Sequence, residues 1–290
     1  MSISRKLRII RDKISEYVIE PRWVILSRTK ADRQGIIIEN KRMYENSAVV
    51  KGLSSVDYLE KPEEIVLNRL KSELKKMKML DIGVGGGRTT YHFAKLPKEY
   101  IGIDYAKNMT KACKKRFLKL SKRTSFITCD VRSMPFRDQC FDFILFSFNG
   151  IDLMSHKDRL KVFEEIGRVG KENSLFCFSA HNLFFLDRLF SFKLSRNPLK
   201  LYKNIRLFLL LKIMNRDIQK SKKKPFVVIN DPSHNCKELA YYIRPQEQVK
   251  QLISLGFKNI EVMSLDGKQI KDEIRSSIVE DPWLHYLCRI

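Results

Sequence analysis

Acids, glycines and histidines recur in this chain at spacings that could bind a small ligand and move a proton on it. The run Met79–Phe93, MLDIGVGGGRTTYHF, places Asp81 just before Gly83, Gly85, Gly86 and Gly87. Glycine lets backbone approach a ligand closely and take positive φ, which a Cβ disfavours. A second acid, Asp104, follows about 20 residues on, the distance at which a ribose-binding carboxylate is expected. A third, Asp130, stands with Val131 after another apolar run, and Ser147-Phe148-Asn149-Gly150 follows a fourth. A carboxylate can accept two hydrogen bonds from a vicinal diol, and charge-assisted bonds of this kind are strong. Of the five histidines, His181 is the first candidate for a base and His156 the second, with Asp152 a further one. Either histidine could instead cap a helix or sit in a loop. His92 and His285 read as structural.

These residues need elements to hold them. Met77, Met79, Leu80 and Ile82 make a buried strand that breaks into glycine and resumes as a helix through Thr89, Tyr91 and Phe93. Strands at Tyr100–Ile103, Ser125–Thr128, Phe141–Phe146 and Ser174–Ser179 each end in polar residues or glycine, the last at Ala180-His181-Asn182. In an open parallel sheet, ligands bind outside such carboxyl ends. Between the strands, Lys107–Leu120 (Met109, Ala112, Cys113, Phe117) and Lys157–Val169 (Leu160, Phe163, Ile166, Val169) carry apolar helical faces. A dinucleotide-binding domain is the competing reading. It would want G-x-G-x-x-G, whereas the pattern here is Asp81-x-Gly83-x-Gly85-Gly86-Gly87, and it would leave Asp130 and the fourth strand end without a role.

From Tyr44 onward the order and spacing of these motifs resemble a class I S-adenosylmethionine-dependent methyltransferase of the small-molecule, type 11-like kind. The resemblance implies an α/β, Rossmann-like, seven-stranded, mostly parallel sheet with helices on both faces. It implies S-adenosylmethionine as cofactor and S-adenosylhomocysteine as product, with no metal. It puts Asp81 near the methionine amine, the Gly83 and Gly85 backbone against the ligand, Asp104 on the ribose hydroxyls and Asp130 on the adenine amine. Val84, Tyr105, Met109, Val131, Phe146 and Ser147 join them as cofactor contacts. An acidic first motif suits a ligand that carries a cationic amine and a sulfonium and no phosphate. Methyltransferases acting on exocyclic base amines carry an Asn/Asp-Pro-Pro-aromatic run after strand four. Phe146-Ser147-Phe148-Asn149-Gly150 has no proline, which weakens that reading.

The remainder of the chain is less patterned. Residues 1–75 read as an N-terminal helical cover, 76–182 as the cofactor-binding core, 183–240 as a basic helical insert after strand five, and 241–290 as the completion of the sheet. Leu7, Ile10, Ile14 and Val18 recur at helical spacing. Such a helix packs on its own core, on a second subunit to make a homodimer, or on an anionic membrane. Residues Tyr44–Tyr58 read as a loop, and Pro62–Leu74 as a helix. Tyr44, Asn149, Tyr241 and Tyr242 are the candidates for lining the acceptor. Between Asn182 and Pro225 stand twelve bases and only Asp187 and Asp217. With a net charge of +23, this points to an anionic partner (a phosphorylated substrate, a membrane surface or RNA) or to lysines that are merely solvated. The six cysteines contain no C-x-x-C pair and read as free thiols. No secretory leader or spanning segment is apparent, so a cytoplasmic chain, or one peripheral at a membrane, is expected. The activity expected is methyl transfer to an O or N atom of a small molecule, for instance a saccharide precursor. An RNA methyltransferase and a non-catalytic cofactor-binding partner subunit are the alternatives.

Overall fold

The computed structural model describes residues 36–270 and 280–290, apart from 121, 216–217, 219–222, 234–235 and 237. The helix expected over Leu7–Val18 lies outside them. In chain order the elements are α1 (Ile36–Tyr44), α2 (Ser47–Ser54), α3 (Lys61–Leu70), β1 (Lys78–Ile82), α4 (Thr90–Phe93), β2 (Glu99–Asp104), α5 (Lys107–Arg116), β3 (Thr124–Thr128) and β4 (Phe141–Phe146). After them come α6 (His156–Val169), β5 (Gly170–Asn182), α7 (Leu186–Leu189), α8 (Pro198–Met214), β6 (Phe226–Asp231), β7 (Glu238–Ile243), α9 (Pro245–Ser254), β8 (Lys258–Met263) and β9 (Trp283–Arg289).

Strands β3-β2-β1-β4-β5 lie side by side and parallel. Strand β9 runs antiparallel to β5 from Leu175 to His181, and β8 pairs with β9. Side chains alternate between the faces, as the strand period of two requires. Leu80, Ile82, Ile144 and Phe178 join α6 and α9 in one core, whereas Met79, Phe143, Leu145 and Cys177 join α3, α4 and α5 in the other. The sheet is thus covered by helices on both sides.

Among the described residues the sheet has nine strands where seven are expected. The extra pair is the antiparallel hairpin β6–β7, docked on the tip of β5 through His181↔Tyr242 and Asn182↔Ile243. Phe226-Val227-Val228-Ile229 is a short β-branched run, a strand signal, but it follows the lysine run and reads with it as insert. The insert is therefore helical first and a strand hairpin after it, and β7 runs on past residue 240. The expected loop Tyr44–Tyr58 also holds a helix, α2. Asn46 caps it by accepting from the Ala48 N–H at 2.9 Å, and Val49 buries against Ala106 and Met109. All six cysteines are free.

Candidate active site

The glycine turn after β1 is built by backbone need. Gly83 and Gly85 have φ of +65° and +53°. A Cβ on Gly85 would meet nothing closer than the Gly83 carbonyl at 3.9 Å, so this backbone faces open space. Beside the turn, Asp81 is buried, and its Oδ2 accepts from Thr89 Oγ1 at 2.6 Å and Tyr100 Oη at 2.5 Å. Asp104 ends β2, and its two oxygens accept from the Ala106 N–H at 2.8 Å and the Gly85 N–H at 2.9 Å. Burial outweighs these hydrogen bonds in both acids and pushes each carboxyl up to about 6. Arg88 offsets the burial of Asp81 only in part, and a cationic ligand that also donates hydrogen bonds would offset it further in both acids.

A second network closes the β4 side of the turn. Arg88 donates to both oxygens of Glu63 at 2.6 Å and to Ser147 Oγ at 3.1 Å, and Ser147 Oγ also contacts Glu63. The guanidinium lies over the Tyr58 and Phe148 rings. Burial alone would raise the Glu63 carboxyl, but the Arg88 charge and its hydrogen bonds hold it down at about 2. Glu60 caps the same helix in a reciprocal box with Glu63 and meets His285 Nε2 at 2.8 Å. The sequence reading missed Glu63 and Arg88. The pairing joins a helix N-terminus to a residue past the glycine run, and no local pattern announces it.

The third cluster lies at the tip of β5. Phe148 and Asn149 take left-handed φ of +55° and +58°, which turns the chain sharply at the end of β4. The Asn149 N–H donates to Ser179 Oγ at 2.8 Å, and Asn149 Nδ2 stands 3.4 Å from His181 Nε2. His181 Nδ1 lies 2.9 Å from Asp152 Oδ2, and that same oxygen accepts from the His181 N–H at 2.6 Å. Asp152 is fully buried and also holds Arg159, which reaches on to Gln248. Tyr242 stacks on the His181 ring at 4.6 Å, and Tyr242 Oη donates to Asp231 at 2.5 Å. Burial lowers the imidazole, but the Asp152 carboxylate at 2.9 Å, with Asp231 and Glu238 beyond, carries it above its ordinary value. Asn149 Oδ1 and Tyr105 Oη are buried without a hydrogen-bond partner. They are polar atoms that a ligand could complete.

The cover lies across this edge. Asn40 of α1 donates to the Leu153 and Leu239 carbonyls at 3.2 and 3.1 Å, and Tyr44 Oη meets Glu238 at 2.7 Å. Tyr44 and Tyr105 have ring centroids 6.4 Å apart, beside Asp104. Other expected residues are placed differently. Val84 packs into the core under the turn, and Met109 is fully buried between α5 and α2. The Phe146 ring sits beneath Gly83 and Gly150, so it shapes the turn from inside. Asp130 is engaged by Arg132 at 2.6 Å, and Val131 is half-buried next to it on the core. His156 stacks on Phe226 at 4.1 Å, and its Nδ1 is 2.7 Å from Tyr241 Oη. The structure therefore assigns His156 and Tyr241 to packing between α6 and the hairpin, where alternation along β7 sends Tyr241 away from the face that Tyr242 presents. Among the described residues no group of His, Cys, Asp or Glu is arranged to hold a metal ion, and no helix is long and apolar enough to cross a membrane.

Comparison with known proteins bears on the fold. Residues 79–173 match the family model described as a methyltransferase domain. A 79-residue stretch, 27% of this chain, is 38% identical to an uncharacterized protein of Methanocaldococcus jannaschii and spans 34% of that protein's length. Among solved structures, a SAM-dependent methyltransferase of Methanosarcina mazei superposes with a TM-score of 0.50 at 18% identity, over 81% of this chain and 98% of the other. An S-adenosylmethionine-dependent methyltransferase of Mesorhizobium loti gives 0.55 at 13% identity, over 79% and 98%. The glycopeptide N-methyltransferase MtfA, in complex with S-adenosylhomocysteine, gives 0.52 at 13% identity, over 81% and 92%.

Proposed function

We propose that this chain, whose residues 79–173 match a methyltransferase-domain model, is a class I S-adenosylmethionine-dependent methyltransferase that moves a methyl group to an oxygen or nitrogen of a small molecule, with a hydroxyl as the favoured acceptor. The observation that carries the choice of a hydroxyl is the His181–Asp152 pair, set on the same sheet edge as Asp81 and Asp104. A neutral amine needs no base, whereas a hydroxyl does.

When bound, S-adenosylmethionine supplies a methyl already activated by its sulfonium. The residues around it hold and orient. The two hydrogen bonds that Asp81 accepts both fall on Oδ2, so Oδ1 is the oxygen for the ligand amine. Asp104, fixed by two backbone N–H groups, offers its remaining lone pairs to the ribose hydroxyls. Tyr44 and Tyr105 wall the same end. On the acceptor side, Asp152 orients the imidazole through Nδ1 and favours its cationic form, while Nε2 faces Asn149. Nε2 is the atom that would take the hydroxyl proton as the acceptor oxygen gains the methyl and the demethylated cofactor is released. Alignment of this kind is worth about 7–11 kcal/mol. The saccharide precursor implied by the resemblance is one acceptor class of this chemistry.

The test is transfer of labelled methyl to a panel of sugars, nucleotide sugars, phenols and amines, by wild type and His181→Gln. We expect hydroxyl methylation, slowed about 10²–10⁴-fold in the variant, with cofactor affinity unchanged. Methylation of amines alone, or a variant as fast as wild type on hydroxyls, would refute the role of His181.

A further inference from the structure

Helix α8, seventeen residues long, is apolar on both faces. Its inner face is accounted for. Leu207, Leu210, Leu211 and Met214 close a core with Leu186, Val227 and Tyr242. Its outer face is not. Leu199, Tyr202, Ile205, Leu209 and Ile213 follow at helical spacing and are 75, 67, 41, 51 and 43% exposed. A helix apolar all round is ordinarily buried, and five large side chains in one exposed stripe exceed the scattered apolar residues of a normal surface.

The charges around the stripe are of one sign. Along α8 there are four bases (Lys200, Lys203, Arg206 and Lys212) and no acid. We propose that this face is an interfacial helix that lies on an anionic lipid bilayer, its aliphatic stripe among the acyl chains and its bases at the headgroups. Apolar and basic residues sharing one exposed helical surface are what such docking requires, and at about 25 Å the helix is long enough to lie along a surface. A second copy through the same face would bring the four bases of one helix against the four of the other. Residues 1–35 hold nine bases and four acids, so they too would meet like charge. A nucleic acid suits the bases but has no use for Leu199, Ile205, Leu209 and Ile213, because bases stack on rings.

The test is sedimentation of the full chain with phosphatidylcholine vesicles, with and without phosphatidylglycerol. Binding is expected only with phosphatidylglycerol, weakened by salt. Lys200→Glu and Arg206→Glu should each reduce partitioning by at least about fivefold, and the double substitution Ile205→Asp, Leu209→Asp by at least about tenfold. All four side chains are exposed, so an unchanged thermal melt should accompany the loss. Absence of phosphatidylglycerol-dependent binding would overturn the proposal. So would binding that the Ile205→Asp, Leu209→Asp variant retains, which would assign it to another basic segment. A dimer dissolved by that variant, or RNA held more tightly than by a polylysine of equal charge, would also overturn it.

Discussion

The two halves of the ligand edge are built differently. At the ends of β1 and β2 the acids are fixed mainly by near neighbours. Asp104 is held by the amides of Gly85 and Ala106, and Asp81 by Thr89 and Tyr100. At the tip of β5, position is set by side chains from distant segments. His181 depends on Asp152, Asp152 on Arg159, Arg159 on Gln248, and the covering Tyr242 on Asp231. A cradle fixed within one strand–turn–helix–strand stretch, at Asp104 by backbone amides, tolerates little variation and suits an invariant cofactor. A side-chain-fixed one can be rebuilt for a new acceptor without disturbing the first.

The largest effect that would sharpen this contrast lies between the halves, at the buried Glu63–Arg88 pair. Glu63→Ala leaves a guanidinium buried and unpaired, and should cost about 3–5 kcal/mol of stability in denaturant melts. Asp130→Ala, which removes a half-exposed partner of Arg132, should cost less than about 1 kcal/mol. Equal costs would mean that burial does not govern these pairs. Because the Glu63 carboxyl is depressed to about 2, its stabilisation is present above the ordinary carboxylate range and should fade as pH falls toward that value.

The next effect is on titration. Asp152→Asn removes the carboxylate that raises His181, so the imidazole pKa should fall, as read by NMR. A histidine that titrates unchanged would show that the pair is not coupled. The acid half should respond at lower pH. Asp81 and Asp104, raised to about 6, serve a cationic ligand only when ionised, so cofactor affinity should drop as pH falls through that value. Transfer to a hydroxyl should instead rise with pH through the raised His181 value, since a base acts deprotonated. A single shared midpoint for binding and transfer would contradict the division into two halves. Gly85→Ala should cost about 1–2 kcal/mol from left-handed φ alone, as read in denaturant melts, more than Asp130→Ala and less than Glu63→Ala.

The contrast also explains what the sequence makes legible. Asp81, the glycine turn and Asp104 are close in the chain and tied to strand ends, so type and spacing suffice to find them. Glu63 and Arg88 escape because a helix-start glutamate and an arginine after glycines each have commoner uses. Asp152 is visible as a candidate, but its partnership with His181 exists only once β4 and β5 are adjacent. The hairpin β6–β7 is obscured by the lysines before it, and Tyr241 and Tyr242 differ in role because a strand sends neighbours to opposite faces.

The central claim is tested most directly by calorimetric titration of S-adenosylmethionine and S-adenosylhomocysteine into wild type and Asp104→Asn, with thermal melts of both. Saturable binding by wild type, weakened at least about tenfold in a variant that still folds, is the predicted result. A well-folded wild type that binds neither compound would contradict it.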